Sequence, residues 1–122
     1  MILRPLFLVI HFIGVFMIFL SLGGVILRSI NGLGREHNFR VPVTVTHGIG
    51  LVLAFVGGFG MLHSMHLPNL FPGWIVGKIV IWIGFGGLMT LALRKPGMAR
   101  SLWWGMLIMG TCAAMLGAFK PF

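Results

Sequence analysis

Four runs of apolar residues, each about 18 to 23 residues long, make up most of this chain, and each is long enough to cross a hydrocarbon core of about 30 Å as a helix. They cover approximately residues 5–27, 43–62, 73–93 and 102–119. Apolar side chains run all round each turn without strict alternation, and the runs are about twice the length a barrel strand needs. The sequence therefore predicts an all-α integral membrane protein, a four-helix up-down bundle that forms one membrane domain over 1–122. Hydrophobic residues at 58% against 8% charged, with a mean hydropathy of +1.07, argue against a soluble core, which would leave far more charge on its surface. The first run is too long for a signal-peptide core and lacks a small-x-small cleavage site, so it is expected to remain as an anchor.

The net charge of +8 comes from nine Lys and Arg against one acid, Glu36. In a soluble protein that ratio would suggest nucleic acid, but here the basic residues sit between apolar spans, and no nucleic-acid partner is expected. Arg28, Arg35 and Arg40 flank the first connection and Arg94, Lys95 and Arg100 the third, whereas His63 to Pro72 holds no Lys or Arg. Basic loops stay in the cytoplasm, so both termini, with Arg4 and Lys120, are expected to face outward from a bacterial inner membrane. A single acid leaves no paired carboxylates for glycoside hydrolysis, no acidic cage for Mg²⁺ or Ca²⁺ and no carboxylate proton relay. A phosphate-binding Gly-Lys-Ser/Thr loop is absent too. The lone Cys112 rules out an intramolecular disulfide and is read as a small buried residue.

Nineteen glycines fall in informative places. Gly50, Ala54 and Gly58 repeat every four residues, as do Gly110, Ala114 and Ala118, and such stripes let helices approach closely in lipid. They are expected to pack within the bundle, the alternative being that they make room for a flat cofactor or for an outside helix of another membrane protein or a second copy. Trp74, Trp103 and Trp104 lie near span ends and read as interfacial anchors, with Trp82 deeper.

Few polar residues remain for chemistry. Lys78 lies four to five residues inside the third span, where an amine is costly unless it snorkels to the surface or meets a partner. The alternatives are snorkelling, or a place in an outer cavity facing a carbonyl, a ligand headgroup or a partner's acid. His11 sits at similar depth on a face with Gly14, Ile18 and Ser21, and each of His11 and Lys78 follows a proline, Pro5 or Pro72, by six residues. That echo hints at a weak internal duplication. His47 shares the stripe of Gly50, Ala54 and Gly58 and should face inward, hydrogen-bonded. Met61, His63, Met65 and His66 close the second span with two imidazoles and two thioethers, a set suited to copper. A b-type haem would need His11 and His63 as axial ligands, although His63 lies about 7 Å shallower by helical rise. A quinone would suit a pocket of His11, Lys78 and Trp82 or Phe85.

The order of these features resembles the SirB-like family of small four-helix bacterial membrane proteins. His11 to Arg28 looks like its first helix, and Pro42, Thr46, His47 and Gly57 or Gly58 look like the opening and close of its second. Trp74, Lys78, Trp82 or Phe85, Gly86, Ala92, Leu93 and Arg94 are similar to its third, although this chain has no tyrosine. The resemblance implies a fold and no defined activity. CopD-like copper-resistance proteins are a more distant comparison, through helical hairpins with membrane histidines. The expected function is a non-enzymatic scaffold or regulatory subunit packing through Gly/Ala faces, with His11 and Lys78 in a shallow outer pocket. The competing class is an electron-transfer subunit that binds haem, copper or quinone through His11, Lys78, His63 and His66. A channel is third, since Gly, Met and Phe offer little to select an ion.

In intact cells, and in a Cys112→Ala background, cysteine in place of Ser64 should react with a membrane-impermeant thiol reagent while cysteine in place of Asn31 does not. Labelling at position 31 alone would invert the orientation.

Overall fold

The computed structural model describes residues 3–33, 37–65 and 72–120. Four helices carry nearly all of these residues: α1 (Leu3–Ile30), α2 (Arg40–Ser64), α3 (Gly73–Arg94) and α4 (Ala99–Phe119), with a 3-10 turn at Pro96–Met98 ahead of α4. All four are long and apolar enough to cross a membrane. Each begins or ends beyond its apolar run, because backbone hydrogen bonding continues through the polar end turns. Arg28 thus falls inside α1 and Arg40 inside α2, and within α2 the hydroxyls of Thr44 and Thr46 donate to the carbonyls of Arg40 and Pro42 one turn back.

Local chemistry sets the helix ends. Gly32 takes a left-handed conformation (φ 73°) after α1, Leu33 N–H donates to Arg28 O and Gly32 N–H to Ser29 O, which together stop the helix. Pro72, extended, precedes the first residue of α3, and Pro96 follows its last turn, where a helix interior could not hold it.

Neighbouring helices run antiparallel. Along α1 and α2 the contacts descend in register: Phe7 meets Gly60, His11 meets Gly57, and Gly14 meets Gly50 and Ala54. The backbones nearly touch. A Cβ added at Gly14 would lie 2.6 Å from Gly50 O, and one at Gly50 would lie 2.8 Å from Gly14 O. Two sequence stripes therefore interlock, His11, Gly14, Ile18 and Ser21 on one side and His47, Gly50, Ala54 and Gly57 on the other. The expected four-residue stripe placed Gly58 in that seam. The structure puts Gly57 there instead, buried, with Gly58 half-buried beside the His11 ring. A seven-residue spacing from Gly50 to Gly57 keeps to one seam where an eight-residue step drifts off it.

Helices α3 and α4 pair through single small residues under larger side chains, Gly77 beneath Leu116 and Gly84 beneath Met109. The main core lies towards the end holding Arg28, Arg40 and Arg94, where Leu22, Ile26, Leu88, Ala92, Ala99 and Leu102 are buried together. A smaller cluster of Leu62, Trp74 and Ile75 sits at the opposite end, which holds Arg4 and Lys120. The buried residues of α4, Ala99, Leu102 and Met106, all lie in its first half.

Several expectations change here. Ala114 and Ala118 are exposed, and only Gly110 of that stripe receives a close neighbour, Phe19. The buried residues of α4 end at Met106, and beyond Gly110 no described helix covers that stripe. Cys112 is exposed on another side of α4, not buried. Trp74 is buried under the second cluster, whereas Trp104 is 64% exposed and keeps the position of an anchor. The outward faces elsewhere are apolar, with Leu20 75% and Ile83 61% exposed, a surface suited to hydrocarbon.

Gly14→Ala should destabilise the protein in detergent by roughly 1–3 kcal/mol, since backbone atoms of α2 cannot step aside. Gly24, where an added methyl would meet nothing within 4 Å, should tolerate Ala with no loss. Thermal or denaturant unfolding of both variants checks this, and equal losses would place the packing seam elsewhere.

Candidate functional site

In the half of the bundle that holds Arg4 and Lys120, a cavity of about 510 Å³ lies between the helices. Its walls come from all four helices, and its floor is Phe19 against Phe85, edge to face with ring centroids 5.4 Å apart. Most of the lining is apolar. The basic groups in it are Arg4, His11, Lys78 and Lys120, and among the described residues no acidic side chain reaches it.

His11 is carried at the α1–α2 seam, where Gly57 lets its backbone come close. Its Nδ1 donates to Ala54 O at 2.8 Å, since a carbonyl can only accept. That bond fixes the tautomer and leaves Nε2 as an acceptor or ligand atom. Trp82 crosses the other way, its indole N–H donating to Leu51 O at 2.9 Å and its ring 5.0 Å from that of Phe55. Together with His47, whose Nε2 lies 3.2 Å from Phe85 O, it ties α2 to α3. His47 is buried in the core as its stripe predicts, and it takes no part in the cavity.

Lys78 projects from α3 towards α4, with Nζ 3.1 Å from where a Cβ on Gly117 would sit. A Cβ at that point would press on the amine, which would have to shift by a few tenths of an ångström. Among the described residues its amine has neither a hydrogen bond nor an ion pair. Lys120 flanks the same glycine, donating to Gly117 O at 2.6 Å and lying 5.2 Å from the centre of the Trp74 ring. Its backbone is left-handed (φ 47°), the sole non-glycine case among the described residues, and this turns the amine back over the end of α4.

Of the residues singled out from sequence, His11, Lys78, Trp82, Met61 and Met65 line this one cavity. His63 does not. It is exposed, two residues on from Met61 and so on the opposite side of α2, which separates it from both the thioethers and His11. His66 lies outside the described residues. Among the described residues no three His, Cys, Asp or Glu side chains converge on one point. The rim residues Arg4 and Lys120 read from sequence as topological charges only. Their proximity to Lys78 depends on how two distant helix ends meet, which no local pattern encodes.

A second cavity, of about 360 Å³, lies at the other end beside Arg28, His37 and Arg40. Arg28 and Arg40 already interact with other groups. No family model, curated protein or solved structure matches this chain.

Replacing Trp82 by Phe keeps the ring packing and removes one interhelical hydrogen bond, for an expected loss of about 0.6 kcal/mol. Trp82→Ala, which also empties ring volume, should cost several times more. Unfolding in mixed micelles measures both, and equal losses would assign the residue's weight to the hydrogen bond alone.

Proposed function

We propose that this chain is a small integral membrane protein, four spans up and down with both termini outside, that acts without catalysis as a binding or regulatory subunit. Its ligand is an amphipathic molecule held in the cavity described above, which then opens in the outer half of the membrane. The observation that carries this reading is the amine of Lys78, without a partner among the described residues inside an apolar cavity whose volume of about 510 Å³ is that of an ordinary small-molecule site. Lys78 is half-buried with its amine reachable from the cavity, and an intramembrane amine is costly unless it snorkels to water or something meets it. The membrane setting is supported by four long apolar helices with apolar outward faces, and the orientation by the basic residues of the first and third connections. A SirB-like affiliation agrees with this architecture and adds no chemistry.

One observation favours a second reading. The His11 Nδ1–H···O bond to Ala54 leaves Nε2 available within the cavity, beside Lys78 and Trp82, and a quinone ring would find a donor, an acceptor and an aromatic neighbour there. A bis-histidine haem fits less well, because His63 does not line the cavity.

Native mass spectrometry of protein released from mild detergent should show a retained amphiphile. Lys78→Met should lose it and Lys78→Arg retain part, both variants folding normally. An unaffected Lys78→Met variant would remove the binding reading. The absorbance spectrum, metal content and organic extract of the same preparation separate the two classes: a colourless, metal-free sample without quinone supports the non-redox subunit, whereas a Soret band or extracted quinone lost in His11→Ala supports electron transfer.

A further inference from the structure

We propose that the ligand is a lipid-phase anion, a single acidic head on an acyl chain, and that it reaches the cavity sideways between α1 and α4. This rests on the reading of the cavity as a binding site and names what the site selects.

Two groups of observations converge on it. The first is charge. Lys78 and Lys120 both approach Gly117, Arg4 stands at the rim, and the described lining holds no acid, so like charges are gathered without a counter-charge among the described lining residues. Lys78, unlike Lys120, has no carbonyl or ring there as a partner. Bringing amines together in an apolar setting is unfavourable unless an anion meets them, and an acidic headgroup supplies both the charge and the acceptors for the three N–H donors of Lys78. A neutral or zwitterionic head would leave that imbalance in place.

The second is shape. Arg4 and Phe19, at the rim and the floor on α1, are fifteen residues apart, which makes the cavity about 22 Å deep by helical rise. Its basic groups lie in the rim half and its aromatic floor is uncharged, the polarity gradient of an acyl lipid with its head outward. Access follows from exposure. Phe19 closes against Gly110, but towards the rim Leu8 and Phe12 on α1, and Ala114 and Ala118 on α4, are exposed and line the cavity at once. That opening faces sideways, between two helices whose outer surfaces are apolar. A membrane lipid or a free fatty acid lies directly beside such a portal. Both sources share the chemistry of an acidic head and an apolar tail.

Trp82 lines the cavity and serves as the reporter. In a variant with Trp74, Trp103 and Trp104 replaced by Phe, its fluorescence is followed in zwitterionic nanodiscs as dibrominated phosphatidylglycerol, dibrominated phosphatidylcholine or dibromostearate is added. We expect at least one acidic probe to quench Trp82 at about tenfold lower mole fraction than the phosphatidylcholine probe, with the two acidic probes telling phospholipid from fatty acid. Lys78→Met should erase the difference and Lys78→Arg should keep most of it. Native mass spectrometry of the chain with all four tryptophans, offered phosphatidylglycerol and phosphatidylcholine together, gives the same comparison should the triple variant fold poorly. Equal quenching by acidic and zwitterionic probes overturns the selectivity while leaving an amphiphile-binding cavity. Quenching by none of them overturns the cavity reading as well. A preference that survives Lys78→Met removes Lys78 from the head site.

Discussion

The close approach of α1 and α2 governs the rest of the architecture. Hydrocarbon gives apolar helices no reason to leave it for one another, so association depends on backbone proximity and on a few polar ties. Here Gly14, Gly50 and Gly57 remove the side chains that would hold the two backbones apart. Ala54 at the same seam offers its carbonyl to His11. Once α2 is committed to α1 along most of its length, its remaining face meets α3 through a handful of residues, His47, Leu51 and Phe55 among them. The cavity is the volume that this unequal pairing leaves over.

Charge placement gives that volume its character. With Glu36 the sole acidic side chain in the sequence and none in the described lining, the basic groups near the cavity meet carbonyls and aromatic faces where they meet anything among the described residues. Lys120 illustrates the first two, with Gly117 O and the Trp74 ring as its neighbours. Lys78, one helix away and deeper, has neither among the described residues. The contrast between two lysines that share a glycine is what separates a structural amine from one suited to a ligand.

Much of the helical frame was legible in the sequence because a span of lipid imposes both a length and a composition. Helix existence, the inward face of His47 and the face shared by His11, Gly14, Ile18 and Ser21 all follow from periodicity on one helix at a time. What could not be read depends on pairs of helices. Gly57 and Gly58 are equivalent to any local rule, and the choice between them comes from the supertwist of the α1–α2 seam. The stripe of Gly110, Ala114 and Ala118 carries the same small-residue signature as the true seam, yet most of it borders the cavity or lies open, because no described helix closes on it at that depth. Trp74 and Trp104 both sit near helix ends, and only the fold distinguishes the one covered by Leu62 and Ile75 from the one left outside. His63 failed to join Met61 and Met65 for a simpler reason, since residues two apart on a helix point in nearly opposite directions.

The uneven burial of α4 has a mechanical meaning. Its buried residues stop at Met106, so the helix resembles a cantilever, clamped where it follows the Pro96 turn and more lightly held beyond, by Leu116 against the Leu62, Trp74 and Ile75 cluster, by glycine seats and by the Lys120–Trp74 contact. A rod held in this way deflects most at its free tip, and regions with few buried contacts are the cheapest to displace. The tip is also the wall beside the portal. Bending of α4 near its tip would therefore change the aperture of the cavity at little cost to the clamp or the α1–α2 seam.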